Sequence, residues 1–100
     1  MSVYMSLRVK ADADKLEQYA KDNPDVLRGI TDNAKSLGCI HHTFAAENGD
    51  VVVMDEWESK EAFEKFFDGN KDVEKVMQDM GVQSPPEIHY YRPLDTGDQF

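Results

Sequence analysis

An α+β domain with the element order β-α-β-β-α-β is predicted by three observations on the sequence. The stretch SVYMSLRV (2–9) alternates apolar and polar residues. Asn48-Gly49 separates two strand-like runs, 39–47 and 50–57. Helix-patterned segments fill 11–38 and 59–81, and EIHYYRPL (87–94) closes the pattern as a last strand. This order is the ferredoxin-like split arrangement. It implies a four-stranded antiparallel sheet in the order 4-1-3-2, with the helices on one face.

Each element has its own warrant. In 2–9, Val3, Met5, Leu7 and Val9 share one face, the period-2 mark of a half-buried strand. The segment 11–38 is helical in composition but carries Pro24. Proline is tolerated at the first position of a helix and disruptive inside it, so a second helix starts there with Asn23 as its expected cap. Leu27, Ile30, Ala34 and Leu37 then fall at helical spacing, and Gly38 ends the helix. Ser59 is the expected N-cap of a short helix with Ala62, Phe63, Phe66 and Phe67 as its apolar stripe. The segment 70–81 gives a further helix with Val73, Val76, Met77 and Met80 inward and Gly81 closing it. Ser84-Pro85-Pro86 forces an extended connector. The expected domain is 1–95, with 96–100 as a C-terminal tail.

The hairpin fixes the register. A type I′ turn needs positive φ at both central residues, which Asn-Gly supplies. Glu47 then faces Asp50, Ala46 faces Val51, Phe44 faces Val53, His42 faces Asp55, and Ile40 faces Trp57. One face therefore carries Ile40, His42, Phe44, Ala46, Val51, Val53, Asp55 and Trp57. The other carries Cys39, His41, Thr43, Ala45, Val52, Met54 and Glu56. A slip of one residue would scatter both sets. The helices should cover the more apolar face, with Val3, Met5, Leu7, Phe44, Val53 and Trp57. Tyr4, Cys39, Val52 and Met54 are left on a face without a helix, and a second copy of the chain packed sheet to sheet would cover it.

Bulk composition narrows the functions. One hundred residues give one small core. Eleven Lys and Arg against twenty Asp and Glu leave a formal charge of −9, which argues against nucleic acid and anionic membranes. No apolar run approaches a membrane span and no signal-peptide core opens the chain, so a cytoplasmic location is expected. Cys39 is the single cysteine, which excludes an intrachain disulfide and a cysteine metal cluster.

The pair His42–Asp55 carries the sharpest chemistry. A carboxylate beside an imidazole fixes its tautomer and suits a general base, whereas the plainer reading is a cross-strand pair satisfying a polar spot. Trp57 can stack on a planar ligand or serve as core. Phe63, Phe66, Phe67, Met77 and Met80 would close over the same face, either as packing or as an adaptable pocket wall. The candidate catalytic residues are thus His42 and Asp55. The candidate ligand-binding residues are Trp57, Phe44, Phe63, Phe66, Phe67 and Met77. His41 lies on the opposite face from His42, so no metal site is expected. No phosphate loop, nucleophile elbow or dinucleotide fingerprint occurs.

The run VVVMDEWESKEAFEKFF (51–67) is a strand ending in acid-x-aromatic followed by a helix opening on Glu-Ala-Phe. With 27–50 and PPEIHYYRPLD (85–95), it resembles the dimeric α/β-barrel superfamily, specifically its antibiotic-biosynthesis-monooxygenase-like (ABM) domains. The resemblance implies a homodimer and a small-molecule ligand. Its monooxygenase members oxidise aromatic polyketides without a cofactor and use a tryptophan that Trp57 resembles. Haem-degrading members add a histidine on the next helix, where this chain has Phe66 and Phe67, and an asparagine on the first strand, where it offers Ser6. The resemblance therefore implies no haem and no other cofactor. The leading expectation is a cofactor-independent monooxygenase acting on a planar, apolar or phenolic compound, with His42 as base, Asp55 as its orienter and Trp57 as stacking wall. The alternatives are a non-catalytic ligand-binding or stress-response barrel and a purely structural dimer module.

Overall fold

The computed structural model describes residues 1–100. Its elements are β1 (Val3–Lys10), α1 (Ala13–Asp22), α2 (Pro24–Ser36), β2 (Cys39–Glu47), β3 (Asp50–Trp57), α3 (Lys60–Phe67), α4 (Lys71–Asp79) and β4 (Glu87–Tyr91). The sheet runs β2-β3-β1-β4 with every neighbour antiparallel, the expected ferredoxin-like order read from its other edge. No helix is long and apolar enough to cross a membrane.

Local chemistry sets the ends of the helices. Asp12 accepts from the N–H groups of Asp14 and Lys15 at the start of α1. Ser59 accepts from Ala62 N–H at 3.0 Å, and Asn70 from the N–H groups of Asp72 and Val73, so α3 and α4 are both capped by side chains. Asn23 departs from expectation. Its side chain caps nothing in α2; it donates instead to the carbonyl of Tyr19 at 3.2 Å and so closes α1. Its φ of −135° and ψ of 59° lie outside the extended geometry that aims a cap side chain into the following turn.

The hairpin turn has φ of 48° at Asn48 and 82° at Gly49, the paired positive values of a type I′ turn. Pairing runs from Glu47↔Asp50 to His42↔Asp55 as the turn dictates, and then breaks. A bulge between Cys39 and His41 puts Cys39, not Ile40, opposite Trp57. Ile40 is 56% exposed rather than on the helix side, and Cys39 packs against the core rather than on the helix-free face. The corner before β2 explains the shift. Gly38 has φ of 116° and accepts from Glu58 N–H at 2.9 Å, and a Cβ there would lie 3.1 Å from Glu58 Oε2. With that corner fixed against the start of α3, the strand enters one residue long, and the bulge absorbs the excess.

Trp57 is the centre of the core, fully buried between the sheet and the helices. Its ring meets Phe63 edge-on at 5.5 Å and Phe66 at 5.3 Å. Met5, Leu7, Val9 and Val51 from the sheet and Ala34 from α2 complete the buried cluster. The reverse face of the sheet has no helix. Tyr4, Met54 and Tyr91 are about half exposed there (47%, 51% and 50%). Arg8 crosses the same face to bind Asp50 at 2.8 Å and Glu47 at 2.9 Å, tying β1 to the hairpin turn. β4 stops at Tyr91, short of the expected Leu94, because Pro93 has no N–H to continue the ladder.

Candidate small-molecule site

Between the sheet and the helices lies a cavity of about 150 Å³. All eight residues singled out from the sequence line it: His42, Phe44, Asp55, Trp57, Phe63, Phe66, Phe67 and Met77. The turn chemistry at Asn48-Gly49 brings His42 opposite Asp55, and the two-residue period puts Trp57 on the same face as Asp55.

Asp55 is the polar centre. It is 8% exposed, the one charged residue among the buried set. Its Oδ1 lies 2.8 Å from His42 Nδ1, and its Oδ2 accepts from Trp57 Nε1–H at 2.9 Å. An indole N–H only donates, so Oδ2 is held as an acceptor. With the carboxylate ionised, Oδ1 accepts as well. In the neutral ring the proton then sits on Nδ1, and Nε2 keeps its lone pair. Carboxylate, indole and imidazole thus form one chain of hydrogen bonds, with no buried side-chain polar atom unpaired.

His42 is itself only partly covered, its side chain 27% exposed. Its ring makes a T-shaped contact with Phe44 at 4.9 Å between centroids, and Phe44 is 42% exposed on the edge strand β2. Phe44 therefore stands on the covered side of the sheet but at its rim, beyond full reach of the helices. A ligand can approach His42 from this edge. Of the other histidines, His41 faces away beside Glu56 and His89 pairs with Glu87 at 3.3 Å on β4. No group of three His, Cys, Asp or Glu side chains converges as a metal site.

Thr31 was missed by sequence reasoning. It lines the cavity from α2. Its spacing from Leu27 and Ala34, four and three residues away, was the available signal. Reading only apolar letters as the inward stripe passed over it.

Cys39, brought inward by the bulge, is the strongly perturbed titratable group nearby. Burial pushes its thiol up to about 11, and the negative charge of Asp55 adds to the effect.

No protein-family model matches the sequence, and no curated protein matches it. Solved structures do. A cofactor-independent oxygenase from Streptomyces nogalater, SnoaB, is 14% identical with a TM-score of 0.61, covering 98% of each chain. A monooxygenase from the gene ActVA-Orf6 of Streptomyces coelicolor, solved with nanaomycin D, is 17% identical with a TM-score of 0.63, covering 95% of this chain and 89% of its own. A dimeric ferredoxin-like protein from an uncultured marine organism is 18% identical with a TM-score of 0.63, covering 99% and 93%. Antibiotic biosynthesis monooxygenases recur among the other matches. The chain shares the ferredoxin-like fold of these proteins. At these identities the likeness is one of fold, and the chemistry of the site rests on its own residues.

Proposed function

We propose that the protein is a cofactor-independent monooxygenase acting on a planar, apolar or phenolic small molecule. The observation that carries this reading is Asp55, a buried carboxylate shared between His42 and Trp57 on the wall of an apolar cavity. A core built only for stability gains little from such a group, since an apolar residue of similar size would avoid its desolvation. An imidazole with one nitrogen fixed by a carboxylate and the other open is equipped to take a proton.

In this reading the substrate hydroxyl meets His42 Nε2 and gives up its proton there, while Asp55 holds the resulting imidazolium. Trp57, Phe63 and Phe66 form the apolar wall around the ring. The electron-rich phenolate then reacts directly with dioxygen. For a substrate of the anthrone type, one oxygen atom replaces the two hydrogens of a methylene as a carbonyl. The other atom leaves with those hydrogens as water, so no external reductant is needed. The likeness in fold to a cofactor-independent oxygenase supports this chemistry.

We also propose a homodimer, sheet against sheet, covering Tyr4, Met54 and Tyr91. The dimeric ferredoxin-like protein of similar fold supports it. The test of function is oxygen uptake by the purified, metal-free protein with a panel of anthrones and quinols. Stoichiometric uptake abolished in His42→Ala supports the enzyme. Saturable binding of the same compounds with no uptake replaces it with the ligand-binding reading.

A further inference from the structure

The cavity meets solvent at one side chain. Of its 23 lining residues, Phe44 is the one that is exposed, at 42%; the others are buried or partly buried. A ring that lines a cavity and also faces solvent stands in the mouth between them. Its position follows from the sheet. β2 is an edge strand, so Phe44 has Val53 of β3 on one side and no strand on the other. His42, two residues back, lines the cavity beside it, and the two rings meet in the T-shaped contact at 4.9 Å. Two residues on, Ala46 is small and exposed. The Phe44 ring is thus held by one aromatic contact and has open space on its other flank.

Volume gives this placement a consequence. A cavity of about 150 Å³ matches the size that holds a single benzene ring in an engineered apolar core. A larger planar molecule needs a side chain to move aside. Phe63 and Phe66 are buried against Trp57 and can shift only by disturbing a packed core. Phe44 has no such restraint, since exposed side chains change rotamer within picoseconds to nanoseconds.

We propose that Phe44 is the gate of the cavity. Its ring covers His42 in the closed position, and it swings outward to admit a ligand and to make room for one larger than a single ring. This deepens the monooxygenase reading and rests on it for the purpose of the opening, naming the route by which a substrate reaches His42; the gate itself stands on the lining alone. Phe44 sets access and size selection, and takes no part in the proton transfer.

Trp57 supplies the probe, since it is the chain's one tryptophan, is fully buried and lines the same cavity. Quenching of its fluorescence by acrylamide, a small neutral molecule, reads how often the mouth opens. Losing one aromatic contact raises an open population roughly 2- to 10-fold, and Phe44→Ala should speed quenching by at least that factor. Phe44→Tyr keeps the ring and should quench at the wild-type rate. Phe44→Leu, which keeps apolar bulk without the aromatic contact, should lie between and serves in place of Phe44→Ala if that variant fails to fold. Ile40→Ala, on the same strand but outside the lining, should change nothing. Phe67→Ala deletes a lining ring from α3 and should raise quenching less than Phe44→Ala. Unchanged quenching in Phe44→Ala overturns the inference. So does an equal rise in Ile40→Ala or Phe67→Ala, which would mark a general loosening. Oxygen uptake is scored separately. Uptake with unchanged quenching removes the gate and keeps the monooxygenase, whereas a gate without uptake does the opposite.

Discussion

Asp55 holds His42 at 2.8 Å through one carboxylate oxygen and Trp57 at 2.9 Å through the other. Both partners are donors, and this decides what a substitution does. In Asp55→Asn the side-chain oxygen can serve one donor, and the NH2 group must face the other. If the amide serves the indole, Nδ1 of His42 becomes the acceptor and the proton moves to Nε2, the nitrogen needed as base. We expect Asp55→Asn and His42→Ala each to lower turnover by about 10²–10⁴-fold. Asp55→Asn should also cost about 1–3 kcal/mol of stability, the penalty of a buried donor without a partner. Denaturant titration beside oxygen uptake separates the two effects. His41→Ala, on the other face, should change neither; equal loss in His41→Ala would remove the special role of His42.

Trp57 connects packing to chemistry. It is fully buried, and Phe63 and Phe66 pack on it. Trp57→Phe keeps most of the apolar contact and deletes the N–H, so Asp55 loses one of its two donors. Trp57→Ala should cost about 3–5 kcal/mol, the range for removing a large core aromatic. Trp57→Phe should cost less but still weaken the orientation of His42. Trp57→Phe with full turnover would show that the indole N–H serves packing only.

The α1–α4 contact has its own pH signature. Tyr19 on α1 donates to Asp79 on α4 at 3.0 Å, and Lys75 binds the same carboxylate oxygen at 2.9 Å. Lys75, then Tyr19, holds the Asp79 carboxyl below its usual range, so the contribution of this group is present above the ordinary carboxylate pKa. It is lost as pH falls through the lowered value. Desolvation and then Asp79 raise the Tyr19 hydroxyl, so its contribution is present below the ordinary tyrosine pKa and lost as pH rises through the raised one. Protection of α4 amides from hydrogen exchange, taken relative to the intrinsic rate at each pH, should therefore be greatest between about pH 5 and 9, between the ordinary carboxylate and tyrosine ranges. Tyr19→Phe should flatten the alkaline side. An unchanged alkaline profile in Tyr19→Phe would dismiss the contact as a determinant.

How far the sequence was legible follows from the range of the interactions involved. The hairpin register rested on two residues, Asn48 and Gly49, whose backbone needs are local, and it located His42 against Asp55 without any knowledge of the rest of the chain. Ser59 and Pro24 marked helix starts for the same reason. Ile40 and Cys39 were misplaced because their register depends on how Gly38 meets Glu58 and Ala62, a contact between segments distant in sequence. Asn23 holds the cap position of α2 as expected, but its side chain serves α1, because the backbone angles of a residue between two helices decide which one its side chain reaches. Thr31 escaped because helical spacing was read through apolar residues alone.

Cys39 gives a direct test of the bulge. Its thiol, pushed up to about 11 by burial and by Asp55, is nearly all protonated at neutral pH. Since the thiolate is the reactive form, a disulfide reagent at pH 8 should label the native protein about two orders of magnitude more slowly than the unfolded chain, which has an ordinary thiol. Asp55→Asn should raise the native rate, because the nearby negative charge is gone. Labelling as fast as in denaturant would place Cys39 on the open face, as the bulge-free register would have it.

The last prediction concerns the face without helices. Tyr4, Met54 and Tyr91 are about half exposed on the face that carries no helix (47%, 51% and 50%). Arg8 is already neutralised on that face by Asp50 and Glu47, and Glu56 accepts from Ser2 at 2.6 Å, so these charges oppose close approach less than free ones would. A two-fold pairing would bring each Met54 near its symmetry mate's surface. Light scattering at tens of micromolar, where a standard interface of roughly 1,200–2,000 Å² persists, should give twice the chain mass. Met54→Lys would bury a charge without a partner and should shift the equilibrium towards the single chain, while Lys21→Ala, exposed at the end of α1 on the covered side of the sheet, should not. A wild-type protein that scatters as a single chain would sink the dimer and leave the cavity to act alone.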